Sequence, residues 1–420
     1  MYMKKIFILI ALATLLSACS KDDNEDPKPS TDPMTVLVYM AGDNNLSSFT
    51  INDLNEMKEG SMKLTDVDNL LVYVDGRNQN PYFARIKNGT VVDSVSLEST
   101  FSADPKVLEE MLKRARTNYP AKSYGLVLWG HANGWVISQD SIPYAQSRAY
   151  GVDNSTKTYW MNIPSMARAI EKGMGGEKLK YIFADCCNLC CIEAAYELRN
   201  ATNYLIGSPA EIPDPGAPYE LIVSDLFDRS ETSYKAIIDT YYDTYYDIYQ
   251  VGRKGNVSFY NLKPGDLKGY SVPLAAVRTA DLQNLAQATA KILGTMKEEL
   301  TPEGDLILDD VVFHAYSRNK YAYDMMHGLK RNATQSDFST WETAFKQAVP
   351  YSRYSGHWLT SSTSLAKEMD NQNFDVHASD CGVVSMFFPR QVYNDLVPSW
   401  NTTIQQFQWN NVIQWQQYGW

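Results

Sequence analysis

A chain of 420 residues with 38 Lys plus Arg against 49 Asp plus Glu carries a net charge of -11, and its 44% hydrophobic fraction is that of a globular protein. The acidic balance excludes nucleic acid as the default partner, because phosphate-binding surfaces concentrate Lys and Arg. Only one run is apolar enough to concern a membrane, and it stands at the start of the chain.

Residues 1–18 read MYMKKIFILIALATLLSA, in which Lys4 and Lys5 precede an apolar stretch from Ile6 to Leu16. This is the build of a secretory signal and not of the fold. Leu16-Ser17-Ala18-Cys19 is similar to the lipobox of bacterial lipoproteins, whose cysteine is diacylated and becomes the first residue. The expected membrane link is therefore lipid at Cys19 and not a spanning helix. Residues 19–33 are polar, acidic and Pro-containing, the composition of a disordered tether. Within them Lys21-Asp22-Asp23 resembles the signal that carries some lipoproteins to the outer face of a Gram-negative outer membrane. Secretion across the inner membrane and display at the cell surface are thus expected.

From Met34 short β-rich runs alternate with amphipathic stretches, which predicts a largely parallel sheet covered by helices. Strands are expected at 35–40, 70–74, 125–129, 179–184 and 204–206, each close to a continuous apolar run, as strands buried on both faces require. Helices are expected at 48–58, 104–116 and 163–172, the last with Asn162 as cap, Pro164 in its first turn and Gly173 after its end. In the less regular second half, the Tyr-rich segment 233–250 has helical spacing and reads as a core-facing stripe. Further helices are expected at 280–300, 321–331 and 339–348, and strands at 256–260 and 382–388. The domain boundaries follow as a catalytic domain over 34–260 and a C-terminal α+β region over 261–420 packed on it.

Two predicted strands run straight into chemistry-bearing residues. The first, in GLVLWGHANGW, ends at Gly130-His131; the second, in KYIFADCCNLCC, ends at Asp185-Cys186-Cys187. A β-loop-α-β crossover between them makes the strands parallel and puts both ends at one sheet edge, where open α/β sheets bind ligands. His131 can then handle protons beside Cys187 as a thiolate nucleophile, favoured by a helix beginning just behind it. That pair suits acyl transfer.

These residues resemble the clostripain-like cysteine endopeptidases of the caspase and gingipain clan. His131-Ala132-Asn133-Gly134-Trp135 matches the family's His-Gly-x-Gly-Trp, and Asp185-Cys186-Cys187-Asn188-Leu189 with Glu193 matches its Asp-Ala-Cys-Leu-Met with Glu six positions after the cysteine. The register selects Cys187 over Cys186. Tyr39 to Leu46 and Tyr150 to Asp153 continue the resemblance. It implies a caspase-like α/β/α sandwich and cleavage of proteins or peptides after Arg or Lys, through a Cys187/His131 dyad and a thioester acyl-enzyme. Asp185 would be one acid of the pocket for the basic side chain, with Asp214 and Glu211 as candidates for a second. Backbone N–H groups of Cys187 and of the loop from Ala132 to Gly134 would hold the oxyanion. Arg148 and Lys157 are candidate sites of self-cleavage, no cofactor is required, Ca²⁺ dependence occurs in the family, and a monomer is expected. The chain departs from the family at Ala132, where Gly is usual, and at Asn188 and Leu189, where Leu and Met are usual.

Other readings of the same residues are a dithiol redox motif in Cys187-x-x-Cys190, a zinc site, and plain packing for Cys186, Cys190 and Cys191. None of the first two accounts for GHANGW. A scaffold of the same fold that turns over weakly or not at all, and binds peptide or glycan at the surface, is the alternative to a peptidase; 28 Tyr and nine Trp suit carbohydrate contact.

Overall fold

The strands of the core are apolar on both faces because helices cover both. The computed structural model describes residues 32–98, 101–136, 150–153, 159–254, 257–258, 267–296, 305–317, 319–358 and 381–418. The signal, Cys19 and nearly all of the tether lie outside them. In chain order the strands are β1 (Met34–Gly42), β2 (Asp68–Gly76), β3 (Tyr82–Lys87), β4 (Thr90–Ser96), β5 (Ser123–Gly130), β6 (Tyr150–Asp153), β7 (Tyr159–Met161), β8 (Tyr181–Asp185) and β9 (Tyr204–Gly207). They continue with β10 (Arg253–Lys254), β11 (Val257–Ser258), β12 (Leu274–Arg278), β13 (Phe313–Ser317), β14 (Asn319–Asp324), β15 (Tyr351–Arg353) and β16 (Ser385–Met386). The main helices are α1 (Ser47–Ser61), α2 (Pro105–Asn118), α3 (Ile163–Gly173), α4 (Ile192–Glu197), α5 (Tyr219–Leu226), α6 (Ser233–Val251), α7 (Leu282–Thr295), α8 (Met325–Asn332) and α9 (Gln335–Ala348).

The central sheet has nine strands in the order β15-β12-β9-β8-β5-β1-β2-β3-β4. Neighbours from β9 through β8, β5 and β1 to β2 are parallel, while β3, β4, β12 and β15 are added antiparallel at the two edges. Because side chains alternate across a strand, β1 feeds two cores. Val36, Val38 and Met40 pack with α1, α5 and α6, while Leu37, Tyr39 and Ala41 pack with α2 and α3. The result is the expected α/β/α sandwich. A smaller sheet, β13-β14-β16, and several short helices complete the second core.

Asp32 to Trp420 form one compact unit, in which β12 pairs with β9 and extends the same sheet. Three expectations need correction. The segment expected as a helix over 321–331 is strand up to Asp324 and helix only after it, since the Asp324 side chain caps α8 by accepting from the His327 N–H. Asn162 makes no side-chain cap on α3; its backbone carbonyl accepts from Ser165 and Met166 instead. Gly173 ends α3 from within: a Cβ there would lie 2.8 Å from the Glu109 carbonyl oxygen, so its absence lets α3 press on α2.

Candidate active site

The parallel register places the site. Ala41 of β1 pairs with Gly130 of β5, Trp129 of β5 with Asp185 of β8, and Ala184 of β8 with Gly207 of β9. The loops after β1, β5, β8 and β9 therefore open at one edge, as a parallel sheet requires. There His131, Asp185, Cys187 and Asp214 line one narrow pocket together with Trp129 and Gly216.

Cys187 is only partly exposed, in contrast to Cys186, Cys190 and Cys191, which are fully buried. All five described cysteines are free, so Cys187 and Cys190 form no disulfide. The helix expected directly behind the nucleophile starts later: α4 begins at Ile192 with Cys191 at its cap, so no helix N-terminus backs the Cys187 sulfur. The intervening turn is pinned to the loop after β9 by Asn188 N–H to the Ala210 carbonyl (3.0 Å) and Cys190 N–H to that of Ser208 (3.1 Å). Burial pushes the Cys187 thiol well above its ordinary value, and the charges of Glu211, Asp214 and Asp185 add to this, against a 3.5 Å bond from the Ile212 N–H. Burial and these charges favour the thiol over the thiolate, so a nucleophilic sulfur here would need a base beside it.

His131 is the group beside the pocket that can act as one. Its Nε2 lies 2.7 Å from Asn45 Oδ1, which fixes the ring through the loop after β1. Its own carbonyl accepts from the Gly151 N–H at 2.7 Å. Ala132 is not among the residues with positive φ, so the methyl in place of the family's hydrogen brings no backbone strain. Asn188 does sit in the left-handed region, at φ 60°, where Asn is held more cheaply than the family's Leu. Both departures are thus compatible with the loop geometry.

Asp185 is 3% exposed and accepts three bonds: Ala217 N–H to Oδ1 (3.0 Å), Tyr241 hydroxyl to Oδ1 (3.3 Å) and Tyr219 hydroxyl to Oδ2 (2.8 Å). Burial raises its pKa to about 6, and the three donors limit the rise. Asp214, exposed on the loop after β9, is raised by partial burial. Glu211 does not line the pocket and acts on the thiol through its charge. Behind the pocket Asp53 accepts from the Trp129 indole N–H at 2.5 Å, and Glu56 takes the Tyr219 N–H at 3.2 Å. Burial raises both, Glu56 to about 8. Arg148 and Lys157 lie outside the described residues.

The C-terminal region supports this edge. Tyr321 of β14 donates to Asn133 Oδ1 in the His131 loop, and Trp135 packs against Phe387, its ring centroid 4.4 Å away, and Trp400 at 6.1 Å. The Ser385 N–H bonds the Cys190 carbonyl at 3.2 Å, and Glu193 on α4 accepts from the Phe387 N–H at 2.8 Å. Asn45, Tyr219, Tyr241 and Tyr321 were not singled out from the sequence. Asn45 had one signal, its place in the Tyr39 to Leu46 motif; the tyrosines had none.

Among the described residues, the His, Cys and acidic side chains close enough to share an ion are His314, Asp324 and Cys381. They do not fit Ca²⁺, which takes oxygen ligands. Asp324 is moreover occupied by His314 Nε2 (3.0 Å) and the N–H groups of His327, Gly382 and Val383. The cluster is a buried structural node.

Comparison with known proteins bears on the family and the fold. The model of the clostripain family, Peptidase_C11, matches residues 38–419. Clostripain of Hathewaya histolytica is 24% identical over 253 residues, 50% of this chain and 46% of that protein, so the chain spans about half the length of this curated relative. Among solved structures, a secreted C11 cysteine protease from Bacteroides thetaiotaomicron in complex with an irreversible peptide inhibitor superposes with a TM-score of 0.74 at 28% identity, covering 92% of this chain and 99% of that one. An inactive zymogen C11 protease from Parabacteroides distasonis shares the fold at a TM-score of 0.68 and 24% identity, over 92% and 99% of the two chains. With the family match extending from β1 to the C-terminus, the chain belongs to the clostripain family of cysteine peptidases.

Proposed function

We propose that the protein is an endopeptidase that cleaves after Arg or Lys, with Cys187 as nucleophile, His131 as its base and acid, and Asp185 and Asp214 receiving the basic side chain. The carrying observation is that these four groups line one pocket at the carboxyl edge of the parallel strands. The raised thiol defines the division of labour. His131 takes the Sγ proton as Sγ bonds to the scissile carbonyl carbon, and the carbonyl electron pair moves to oxygen, where N–H groups of Cys187 and of the Ala132 to Gly134 loop receive it. Collapse expels the amine, which leaves with the proton from His131, and a thioester remains. Water, deprotonated by His131, then releases the carboxylic acid and restores the thiol. No step uses Ca²⁺. No described helix is long and apolar enough to cross a membrane, and the proposed setting is the cell surface, with a monomer held by lipid at Cys19.

A non-catalytic peptide binder is the competing reading, favoured by the burial and acidic surroundings that hold the thiol protonated. Fluorogenic peptides ending in Arg or Lys decide between the two. Wild type is expected to release the fluorophore, Cys187→Ala to lose release entirely, and Cys186→Ala, a small change in a packed core, to keep most of it. Absence of Cys187-dependent release from every such peptide sinks the peptidase reading, and loss on Cys186→Ala alone moves the nucleophile by one position.

A further inference from the structure

The sequence reads the tyrosines of segment 233–250 as a core stripe, and the structure turns three buried phenols in and near it toward Asp185 and the neighbouring Gly216 carbonyl. Tyr241 and Tyr245 project from successive turns of α6, and Tyr219 starts α5. All three are fully buried, where a hydroxyl needs a partner. Tyr219 and Tyr241 donate to Asp185, and Tyr245 donates to the Gly216 carbonyl at 2.7 Å. Gly216 lines the pocket at φ +66°, and a Cβ there would lie 3.0 Å from Asp185 Oδ2, so the glycine keeps that oxygen approachable.

A carboxylate offers about four acceptor sites, two on each oxygen. Two on Oδ1 are filled, by the Ala217 N–H and Tyr241, and one on Oδ2 is filled by Tyr219. One site on Oδ2 is left. We propose that Tyr219 and Tyr241, with Tyr245 holding the Gly216 carbonyl beside them, are positioning residues for the basic side chain, and that Tyr219, Tyr241 and the Ala217 N–H leave Asp185 a single open acceptor site, so that the pocket favours a lysine ammonium over an arginine fork. An ammonium is satisfied by one oxygen here and Asp214 beside it, whereas bidentate arginine needs both oxygens of one carboxylate. This inference rests on Asp185 being the acid that receives the substrate's side chain.

The test compares kcat/KM for matched peptides carrying Lys, Arg or neutral norleucine before the scissile bond, in wild type, Tyr241→Phe and Tyr219→Phe. Wild type is expected to prefer Lys. Tyr241→Phe keeps the ring packed on Phe183 but opens a site on Oδ1, so the Lys-to-Arg ratio is expected to move about tenfold toward Arg, the worth of one charge-assisted hydrogen bond. Both variants remove a donor that favours the ionised acid, so the acid limb of the pH profile for basic peptides is expected to move to higher pH. Binding of Nα-acetyl-lysine amide and Nα-acetyl-arginine amide to the same variants carrying Cys187→Ala reads the ratio without turnover. An unchanged Lys-to-Arg ratio with an unmoved acid limb, or equal losses on all three peptides, overturns the inference. Asp185→Asn separates this from the underlying reading: if it keeps the preference for basic over neutral peptides, Asp185 is not the receiving acid; if it loses that preference while the tyrosine variants change nothing, only the tyrosine role fails.

Discussion

Asp185 is placed where it costs stability, and the sign of that cost can be measured. In the unfolded chain an aspartate titrates near 4, while burial holds Asp185 at about 6 in the fold. Between those values the folded chain keeps a proton that the unfolded chain has lost, so this residue's contribution to stability is present at low pH and is lost as pH rises through about 6. If Asp185 receives a basic side chain as proposed, it does so in the ionised form, and activity is expected to rise over the same interval in which stability falls. Asp185→Asn removes the titration. Relative to wild type, the variant is expected to gain stability as pH goes from 4 to 8, by at most about 3 kcal/mol, the value of two pKa units. Urea unfolding of both proteins at the two pH values checks it, and a difference in stability that does not change with pH refutes it. The comparison cancels Glu193, raised to about 8, which titrates in both proteins, whereas Glu56, raised in part by the charge of Asp185, titrates lower in the variant.

At the level of elements, the β3–β4 hairpin lies at the far edge of the sheet from β9 and carries no site residue. Its turn is Asn88-Gly89, with φ 49° and 79°, the pairing that a two-residue turn between twisted strands demands. Gly89→Ala forces an alanine into the left-handed region and is expected to cost about 1 kcal/mol in unfolding free energy, with kcat/KM unchanged. A matching loss of activity would show that the edge is coupled to the site. Neither the Asn-Gly turn nor the strands it joins were read from the sequence; β4 in particular gives little signal, because nearly all its residues are exposed and its Val91, Val92 and Val95 follow no alternation. By contrast β1, β2, β5, β8 and β9 were legible as apolar runs, because helices on both faces leave no room for polar residues. The same split holds at the site. His131 and Cys187 announce themselves by standing just after buried strands. The phenols that hold Asp185 are 34 and 56 positions away from it, and a tyrosine facing a carboxylate looks in sequence like any other core tyrosine. The α8 start was misplaced for a related reason: Asp324 acts as a cap only because β14 delivers it against residues 381–383, a contact of long range.

On the scale of the whole molecule, the residues after 260 do two things that the first half cannot do alone. They close the sheet edge with β12 and β15, and they brace the segments that carry His131 and Cys187, Tyr321 on the His131 loop and Ser385 on the Cys190 carbonyl. The brace is aromatic and dry: Trp135 lies among Tyr321, Phe387 and Trp400, with centroids between 4.4 and 6.4 Å away. Under the proposed function its effect is expected on the reaction and not on the choice of substrate, because it touches the loop that carries His131 and the proposed oxyanion donors and does not line the pocket around Asp185. Tyr321→Phe keeps the ring and deletes the bond to Asn133. It is expected to lower kcat/KM about tenfold, the worth of one hydrogen bond that positions a reacting group, and by the same factor for peptides ending in Lys, Arg and norleucine. Tyr241→Phe is expected to do the reverse, changing the ratio between those peptides more than the sum. Measuring the three substrates on the two variants side by side therefore tests whether the C-terminal region sets rate while α6 sets selectivity. A selective loss in Tyr321→Phe would mean that the two supports are one.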